Sequence, residues 1–349
     1  MAAGDVLLEI EDLHTHFHMD DGVVHAVDGV DLRMRKGETL AIVGESGCGK
    51  SVMARSILHL VDPPGRIEGG KVTLHRPDGP VELVGAHKRL LRQVRWKDIA
   101  MVFQEPMASL SLVHTIGSQI IEAVRLHENV GKAEARKRAI EMLDRVGIPM
   151  PQRRVDAYPF ELSGGMRQRA MIAMALSCRP SLLIADEPTT ALDVTTQAQI
   201  LELLRDLQDE LGMAIMLITH DLGVAAQVAD TMAVMYLGRV VEYGSAEQVL
   251  SQPRHPYAQA LLRSMPRLGQ ARQRRLAAIR GSVPPPYARP EGCSFHPRCD
   301  HAVEGRCDVV TPRLTEVGGR EVACLLYQDE PEPQRGGAPD DTPDDREES

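Results

Sequence analysis

Eight consecutive residues have the types and the spacing needed to hold a phosphate chain. Residues 44–51 match the pattern G-x-x-x-x-G-K-[ST], whose glycines let the backbone curl so that N–H groups point at phosphate oxygens. The lysine is then placed on the terminal phosphates, and the last serine holds Mg²⁺ where a helix begins. A chance glycine-rich turn is the alternative interpretation. The eight residues are Gly44, Glu45, Ser46, Gly47, Cys48, Gly49, Lys50 and Ser51.

A pair of carboxylates follows an apolar run and could act beside this loop. Residues 182–185 read Leu-Leu-Ile-Ala, and Asp186 and Glu187 come next. We expect Asp186 to hold Mg²⁺ directly or through water, because a strand-end carboxylate is the usual partner of a phosphate loop. Glu187 is then placed to polarise the attacking water. An Asp-Glu pair on its own is more often a solvated loop start, so the catalytic interpretation depends on the phosphate loop upstream.

Four of the six cysteines lie close together near the end of the chain. Cys293, Cys299, Cys307 and Cys324 are separated by five, seven and sixteen residues. The sequence shows neither a signal peptide nor a membrane span, so we expect a cytosolic location, where disulfides are rare. The spacing lacks the C-x-x-C pairs typical of zinc sites, and four soft thiolates also suit a [4Fe–4S] cluster. An iron–sulfur cluster, a zinc ion and unligated thiols are the three alternatives that the residues leave open.

The elements around these groups predict an α/β fold with a mainly parallel sheet. Short apolar runs predict buried strands, and residues 52–60 have helical spacing. A second helix is predicted between residues 185 and 214, where Ala198, Leu201, Leu204, Leu207 and Leu211 form one stripe. Strands that alternate with helices indicate a sheet covered on both faces. Residues 105–180 differ, since they contain helical patterns only (116–126, 132–146 and 165–177) and predict a helical insert. The predicted strands are residues 39–43, 99–103, 181–185, 214–219 and 231–236.

Composition and charge exclude several classes of protein. The chain has 349 residues, 43% of them hydrophobic, which is enough for a sizeable core. No apolar run approaches the ~18 residues of a membrane span, and the first residues do not form a signal peptide. Residues 328–349 hold nine acids and two arginines, a charge of −7 out of the total −9. The nearly neutral body and the 3% aromatic content argue against a nucleic-acid partner.

Four further segments resemble the motifs of ABC-type ATPases. Residues 162–169, Leu-Ser-Gly-Gly-Met-Arg-Gln-Arg, resemble the signature motif, and Gln104 lies where this family has its Q-loop. Residues 191–193, Ala-Leu-Asp, resemble the D-loop that ends in Asp193, and His220 resembles the switch histidine. With the phosphate loop and the Asp-Glu pair, these motifs follow the family's order over residues 6 to about 250. The resemblance implies the P-loop head of this family, in which an antiparallel β part accompanies the mainly parallel sheet and the helical subdomain.

The resemblance implies a role for each of these residues in binding and hydrolysing ATP. Ser163, Gly164 and Gly165 would bind the γ-phosphate of the ATP held by a partner subunit, so that two nucleotides lie between two heads. An ordinary N-cap by Ser163 is compatible with that role. His220 would hold the γ-phosphate and the attacking water, and Gln104 would contact Mg²⁺ and water.

The adenine-stacking aromatic residue is predicted from its place before the phosphate loop. ABC ATPases usually have such a residue near the preceding strand, and Phe17 is the candidate here. Its neighbours His14, His16, His18 and His25 could be taken for a metal site. Histidines that alternate along a strand more often face solvent, and this is the interpretation we adopt.

Finer features resemble the ATPase subunits of dipeptide and oligopeptide importers. Residues 103–110, 186–193 and 255–262 resemble the corresponding runs of those subunits, and Met166 in the signature motif is typical of one member of a pair. Residues 292–299 resemble their cysteine-rich extension, in which a [4Fe–4S] cluster can occur. This resemblance favours the cluster among the three alternatives for the cysteines.

The resemblance also implies partners, a location and an activity. The expected partners are a second, different ATPase subunit, two integral-membrane permease subunits and an extracytoplasmic solute-binding protein. The chain would be a peripheral ATPase at the cytoplasmic face of a bacterial inner membrane, using ATP and Mg²⁺ to energise uptake of di- or oligopeptides. An oligosaccharide or a nickel complex as the solute, or a non-transport ABC ATPase, is the alternative.

Changes in composition along the chain predict three parts. Residues 1–250 form the ATP-binding head with its helical subdomain at about 105–180. Residues 251–327 form an extension that carries the cysteines and a basic helix around 271–280, and residues 328–349 form a disordered acidic tail. Because residues 281–327 have few apolar positions, we expect a cluster there to act as a structural staple. A redox sensor is the alternative role.

Overall fold

Two β-sheets and two groups of helices make up the structure. The computed structural model describes residues 6–190, 192–264, 279–285 and 287–328. Most of the predicted basic helix, residue 191 of the D-loop motif and the acidic tail beyond residue 328 lie outside these ranges. The strands are β1 (Val6–Met19), β2 (Gly22–Arg35), β3 (Thr39–Val43), β4 (Gly65–Arg76), β5 (Gly79–Glu82), β6 (Ile99–Val102), β7 (Leu182–Asp186), β8 (Ala214–Thr219), β9 (Thr231–Tyr236), β10 (Arg239–Ser245), β11 (Thr315–Glu316) and β12 (Glu321–Val322).

The α-helices lie mainly between the strands and in one insert. In the described ranges they are α1 (Lys50–Ile57), α2 (Lys88–Val94), α3 (Pro106–Ser109), α4 (Ile116–His127), α5 (Lys132–Arg145), α6 (Pro151–Arg154), α7 (Gly164–Leu176), α8 (Val194–Leu211), α9 (Leu222–Val228), α10 (Ala246–Ser251) and α11 (Pro256–Arg263). No helix in the described part of the chain is long and apolar enough to cross a bilayer.

The larger sheet has a parallel centre, as predicted. Its eight strands run in the order β11-β12-β10-β9-β3-β8-β7-β6, and β9, β3, β8, β7 and β6 pair in parallel. Every residue of β3, β7 and β8 is buried, as expected for strands covered on both faces. The five strands predicted from apolar runs correspond to these parallel strands, with ends that differ by at most one residue.

A separate antiparallel sheet has the order β2-β1-β4-β5. The family resemblance implied an antiparallel part, but the apolar pattern did not predict these strands. Register shifts interrupt the pairing of β1 with β2 and with β4, so the alternation of buried and exposed residues is broken. This explains why a search for regular alternation missed two strands of 14 residues each.

Residues 105–180 form a helical insert, and the described residues between β6 and β7 contain no strand. Helices α4, α5 and α7 agree with the three predicted helices to within one residue at each end. Their apolar faces pack into one core that also includes Leu201 and Leu204 of α8. The insert is therefore packed on the helix that follows the Asp-Glu pair.

The C-terminal extension packs onto the head through both a sheet and a core. Strand β12 pairs antiparallel with β10, which adds the hairpin β11–β12 to the edge of the large sheet. The rings of Tyr236, Tyr257 and Phe295 pack with centroid distances of 4.7 to 5.4 Å and are almost fully buried. Tyr236 ends β9, whereas Tyr257 and Phe295 belong to the extension, so the two parts share one apolar cluster.

Candidate nucleotide site

Four neighbouring parallel strands bring the predicted catalytic residues to one edge of the sheet. The phosphate loop follows β3, Gln104 lies just beyond β6, Asp186 ends β7 and His220 follows β8. These strands are adjacent in the order β3-β8-β7-β6. Because all four are parallel, their carboxyl ends meet on the same side, where open α/β sheets bind ligands.

The phosphate loop has a backbone that only glycine tolerates at two positions. Gly44 and Gly49 have φ values of +155° and +101°, and a Cβ on either would overlap a backbone carbonyl oxygen, that of Met235 or Ala26 respectively. Gly49 is the N-cap of α1, and no side chain bonds the first N–H groups of this helix. These N–H groups are therefore available to an anion.

Lys50 lies inside the curve of the loop. Its side chain is buried, and Nζ donates hydrogen bonds to the carbonyl oxygens of Gly44 (2.8 Å) and Glu45 (3.0 Å). The ammonium group is thus held at the centre of the loop, where it can neutralise phosphate charge.

Ser51 and Asp186, the two residues predicted to hold Mg²⁺ from the loop and from β7, are in direct contact. The Ser51 hydroxyl donates to Asp186 Oδ1 over 2.8 Å. Burial raises the pKa of Asp186, and the hydrogen bond from Ser51 partly offsets that shift. A divalent cation between these two oxygens would instead favour the ionised carboxylate. The pair therefore fits a magnesium ion bound beside the phosphate loop.

Three side chains contact the Glu187 carboxylate, and the backbone N–H of Glu187 is hydrogen-bonded as well. Its carboxylate accepts hydrogen bonds from Gln104 Nε2 (3.0 Å) and Thr190 Oγ1 (2.9 Å), and lies 3.1 Å from Nδ1 of His220. The backbone has φ of +47°, and the Glu187 N–H donates to Ile218 of β8. A non-glycine residue in this conformation is uncommon, and such strain is typical of functional sites.

A cavity of about 470 Å³ runs from these residues along the phosphate loop. This volume is within the range of small-molecule sites. The cavity is lined by Gln104, Glu187, Thr190 and His220 together with residues 46–52. Its lining also includes Val24, His25, Ala26, Leu237, Gly238 and Arg289.

Sequence reasoning missed eight of these lining residues, among them Thr190, Arg289 and His25, and placed Phe17 in the site. Thr190 follows Glu187 closely in the chain and could have been found from that neighbourhood, whereas nothing in the sequence pointed to Arg289 of the extension. His25 was considered only as a metal ligand. The described residues that line the cavity do not include Phe17, whose ring lies against Gly65 of β4. Adenine stacking by Phe17 stays a prediction.

The signature and D-loop residues lie outside this cavity, at the starts of two helices. Ser163 caps α7 by accepting from the Met166 N–H over 3.4 Å, and Asp193 caps α8 by accepting from Thr196. A Cβ on Gly165 would lie 3.0 Å from the Thr196 side chain, so the two helix starts are neighbours. The described residues that line the cavity do not include Ser163, Gly164, Gly165 or Asp193.

The histidines of β1 and β2 form hydrogen-bonded pairs. His16 and His25 lie 3.1 Å apart through ring nitrogens, and His18 contacts Glu68 over 2.7 Å. His14, His16 and Asp28 bring ligand atoms within 4.8 Å of one another, although Asp28 was not part of the predicted group. Two guanidinium groups, from Arg239 and Arg289, outweigh the effect of burial and lower the pKa of Asp28 to about 2. Those cations disfavour a metal ion at Asp28.

The structure brings the four C-terminal cysteines together. None of them forms a disulfide, and the Cys293 N–H donates to the Cys307 carbonyl over 2.8 Å. Burial raises the pKa of Cys293 and of Cys324 to about 11, and neighbouring thiols add to the shift. Within the described ranges, no three cysteine sulfurs lie within 4.8 Å of one another.

Comparison with known proteins agrees with this geometry. The profile of the ABC transporter family matches residues 27–190, and that of the oligopeptide/dipeptide transporter C-terminal region matches residues 241–307. The chain is 51% identical over 322 residues to a probable peptide ABC transporter ATP-binding protein of Sinorhizobium fredii, covering 92% of this chain and 95% of that protein. It is 47% identical over 319 residues to the dipeptide transport ATP-binding protein DppD of Escherichia coli, covering 91% and 96%.

Solved structures show the same fold. A dimeric ATP-binding cassette in a post-hydrolysis state with ADP and Pi aligns with a TM-score of 0.61 and 28% identity, over 69% of this chain and 99% of that one. The fold and the site thus define a P-loop ATPase with a helical insert. The chain belongs to the ABC transporter family, and it is an ATPase that uses ATP and Mg²⁺.

Proposed function

We propose that this ATPase energises the import of di- or oligopeptides through a membrane permease. The observation that carries the proposal is the joint presence of an intact hydrolytic site and of an extension that matches the oligopeptide/dipeptide transporter C-terminal region. The names of the relatives, which are peptide and dipeptide transport ATP-binding proteins, support the same substrate class.

The residues of the site have separate roles in ATP hydrolysis. The loop N–H groups and Lys50 hold the triphosphate, while Ser51 and Asp186 would hold Mg²⁺, which would neutralise charge on the phosphates. Glu187 polarises the water that attacks the γ-phosphate, and Gln104 and His220 orient that carboxylate and the water. Catalysis here is positioning and charge stabilisation, since phosphoryl transfer needs no covalent step on the protein.

The site is completed by a second ATPase subunit. Ser163 begins a 13-residue helix, so its hydroxyl and the N–H groups beside it suit a γ-phosphate. These groups lie outside the cavity of their own chain, which favours a phosphate held by a partner. We propose a heterodimer of two such subunits on two permease subunits, at the cytoplasmic face of the membrane, supplied by an extracytoplasmic solute-binding protein.

Hydrolysis is tested with Glu187→Gln and Lys50→Ala in the assembled complex. Glu187→Gln should bind MgATP normally and lose about 10²- to 10⁴-fold in turnover, the usual effect of removing a general base. Lys50→Ala should lose ATP binding. Glu202→Gln makes the same chemical change on the exposed face of α8 and should hydrolyse ATP normally. Normal hydrolysis by Glu187→Gln would refute the role given to Glu187.

The solute is tested by uptake in reconstituted vesicles that contain the permease and the binding protein. Labelled dipeptides and oligopeptides should accumulate when ATP is supplied on the side of the ATPase, and Glu187→Gln complexes should not support uptake. Uptake of an oligosaccharide or a nickel complex, with no uptake of peptides, would assign the other solute class.

We propose that the four cysteines hold a [4Fe–4S] cluster. The supporting observation is the donor set, four neighbouring thiols in the extension, and burial raises the pKa of Cys293, Cys299 and Cys324. A single tetrahedral zinc ion would need sulfurs about 4 Å apart, given Zn–S bonds of about 2.3 Å, whereas these sulfurs are spread more widely. Burial opposes thiolates without a cation, so a positive iron core would offset that cost.

Metal analysis after anaerobic purification tests this proposal. We expect about four iron and four sulfide per chain, from the composition of the cluster. Cys299→Ser should lose iron, and Cys178→Ser, which changes a buried cysteine of the helical insert, should retain it. Zinc in place of iron, or no metal, would contradict the proposal. Loss of thermal stability with the iron would favour a structural staple over a redox sensor.

The three-part division of the chain is proposed on the same basis. Residues 1–250 are the head, residues 251–327 the extension, and residues 328–349 an acidic tail. The match of the C-terminal-region profile to residues 241–307 supports a distinct extension.

A further inference from the structure

The extension reaches the phosphate loop through one buried arginine. Arg298 is only 5% exposed, and its Nη1 and Nη2 donate to the two carboxylate oxygens of Glu45 over 2.7 and 3.0 Å. Glu45 is the second residue of the loop and lies 253 residues away in sequence. A guanidinium placed on a carboxylate through two parallel hydrogen bonds fixes both distance and orientation.

A second residue of the extension binds the backbone of the same loop residue. The Glu45 N–H donates to the hydroxyl of Tyr257 over 2.9 Å, and Tyr257 is completely buried. The carbonyl of Glu45 accepts from Lys50 Nζ over 3.0 Å. The side chain and the N–H of Glu45 are therefore fixed by the extension, while its carbonyl contacts the lysine that binds phosphate.

The negative charge of Glu45 links its contact with Arg298 to the binding of ATP. A carboxylate in a triphosphate-binding loop repels the ligand unless it is neutralised and directed away. Arg298 does both, since it pairs with the carboxylate, and the described residues lining the cavity include Ser46 but not Glu45. Arg298 itself is held in place, because Nε donates to the Arg280 carbonyl over 3.0 Å and its guanidinium lies 5.8 Å from the centre of the Tyr236 ring.

We propose that Arg298 is a positioning residue for ATP binding. It neutralises Glu45 and holds the phosphate loop in its binding shape, so the extension is part of the nucleotide-binding apparatus. This inference rests on ATP being the ligand of the loop, which Lys50→Ala tests separately. A purely structural Arg298 would stabilise the extension without affecting nucleotide affinity through Glu45.

The test measures MgATP affinity and turnover for Arg298→Met, with and without Glu45→Gln. Arg298→Met leaves the carboxylate unpaired and should raise the Kd for MgATP about 10- to 100-fold, as expected for losing a charged hydrogen-bonded pair. Turnover at saturating MgATP should change little, because Glu187 is untouched. The double variant Glu45→Gln/Arg298→Met removes the repelling charge and should return the Kd to within about threefold of the parent.

Arg263→Met is the matched control, since Arg263 lies exposed on α11 of the same extension and should bind MgATP normally. Thermal unfolding and iron content establish that each variant is folded. If Arg298→Met does not fold, Arg298→Lys keeps the charge without the paired hydrogen bonds and should raise the Kd about threefold or more. An unchanged Kd in the folded Arg298 variant, or no recovery in the double variant, would overturn the proposal.

Discussion

Replacing Arg320 by Met is expected to cost several kcal/mol, because it leaves a carboxylate buried without its cation. Glu242 of β10 is completely buried, and its Oε1 accepts from Arg320 Nη1 over 3.2 Å. The remaining partners of the carboxylate are the N–H groups of Arg254 and His255, at 2.7 to 3.0 Å. The pair joins β10 of the head to the last hairpin of the extension.

The expected magnitude follows from these contacts. Removing one partner of a buried ion pair costs about 3–5 kcal/mol. Arg320 Nη1 also donates to the carbonyls of Gln248 and Gln252 over 2.8 and 2.7 Å, and a buried acceptor left unsatisfied costs about 1–3 kcal/mol. Since the carboxyl group can protonate and the carbonyls can regain water when the side chain is shortened, we expect a net loss near 4 kcal/mol at pH 8.

The loss should depend on pH in a defined direction. Burial raises the pKa of Glu242, and the N–H groups of His255 and Arg254 and the Arg320 guanidinium offset part of that shift. Without Arg320 the folded-state pKa rises further above the unfolded value. A carboxyl group with a raised folded pKa favours the folded state at low pH, and this contribution is lost as pH rises. The variant should therefore be closer to the parent at pH 5 than at pH 8.

Urea unfolding at both pH values measures the effect. Arg33→Met is the matched control, because Arg33 pairs with Glu9 over 2.9 Å at an exposed position and should lose less than about 1 kcal/mol. Glu242→Gln combined with Arg320→Met should recover part of the loss, since no charge is then buried alone. A loss of less than about 1 kcal/mol for Arg320→Met at both pH values would refute the reasoning.

Two further predictions concern a helix start and the phosphate loop. Ser163→Ala and Ser245→Ala each remove an N-cap, and each should lower the free energy of unfolding by about 1 kcal/mol. Only Ser163→Ala should lower the ATPase rate of the assembled dimer. Equal ATPase rates for the two variants would contradict the role of Ser163 at the partner's nucleotide. Gly49→Ala should abolish MgATP binding in a filter assay, because its Cβ meets the Ala26 carbonyl, whereas Gly37→Ala, also at a positive φ (+69°), has open space and should bind normally. Binding by Gly49→Ala would show that the loop can rearrange.

The parallel strands and the helical insert could be predicted from sequence because their apolar residues follow one period. Residues of β3, β7 and β8 are buried on both faces, so each strand is a continuous apolar run next to a glycine loop, a carboxylate or a histidine. Helices α4 and α5 bury one stripe each, whereas α7 is buried all round over residues 170–176 and was predicted from its apolar content. Strands β1 and β2 have bulged pairing and exposed histidines, so their pattern has no single period.

The candidate catalytic residues were predictable for a different reason. Asp186 and Glu187 were predicted from an apolar run and the phosphate loop, and Gln104 and His220 from the family resemblance. All four lie at the ends of parallel strands, which meet on the same side of the sheet. No local sequence pattern predicts the order of the strands in the sheet. The contacts of Gln104 and His220 with the Glu187 carboxylate are therefore seen only in the structure. The same holds for Thr190, whose hydroxyl completes the hydrogen bonds of Glu187.

No local pattern predicted the contacts between extension and head. Tyr257 and Arg298 lie in runs that resemble those of importer subunits, but that resemblance gave neither residue a partner, and an ion pair across 253 residues leaves no periodicity in either partner. Yet both contact Glu45, and Arg289 lines the nucleotide cavity. Since all three residues follow position 250, the predicted boundary of the head separates the phosphate loop from residues that contact it or line its cavity. The nucleotide site of this chain is therefore built by the extension as well as by the head that carries its motifs.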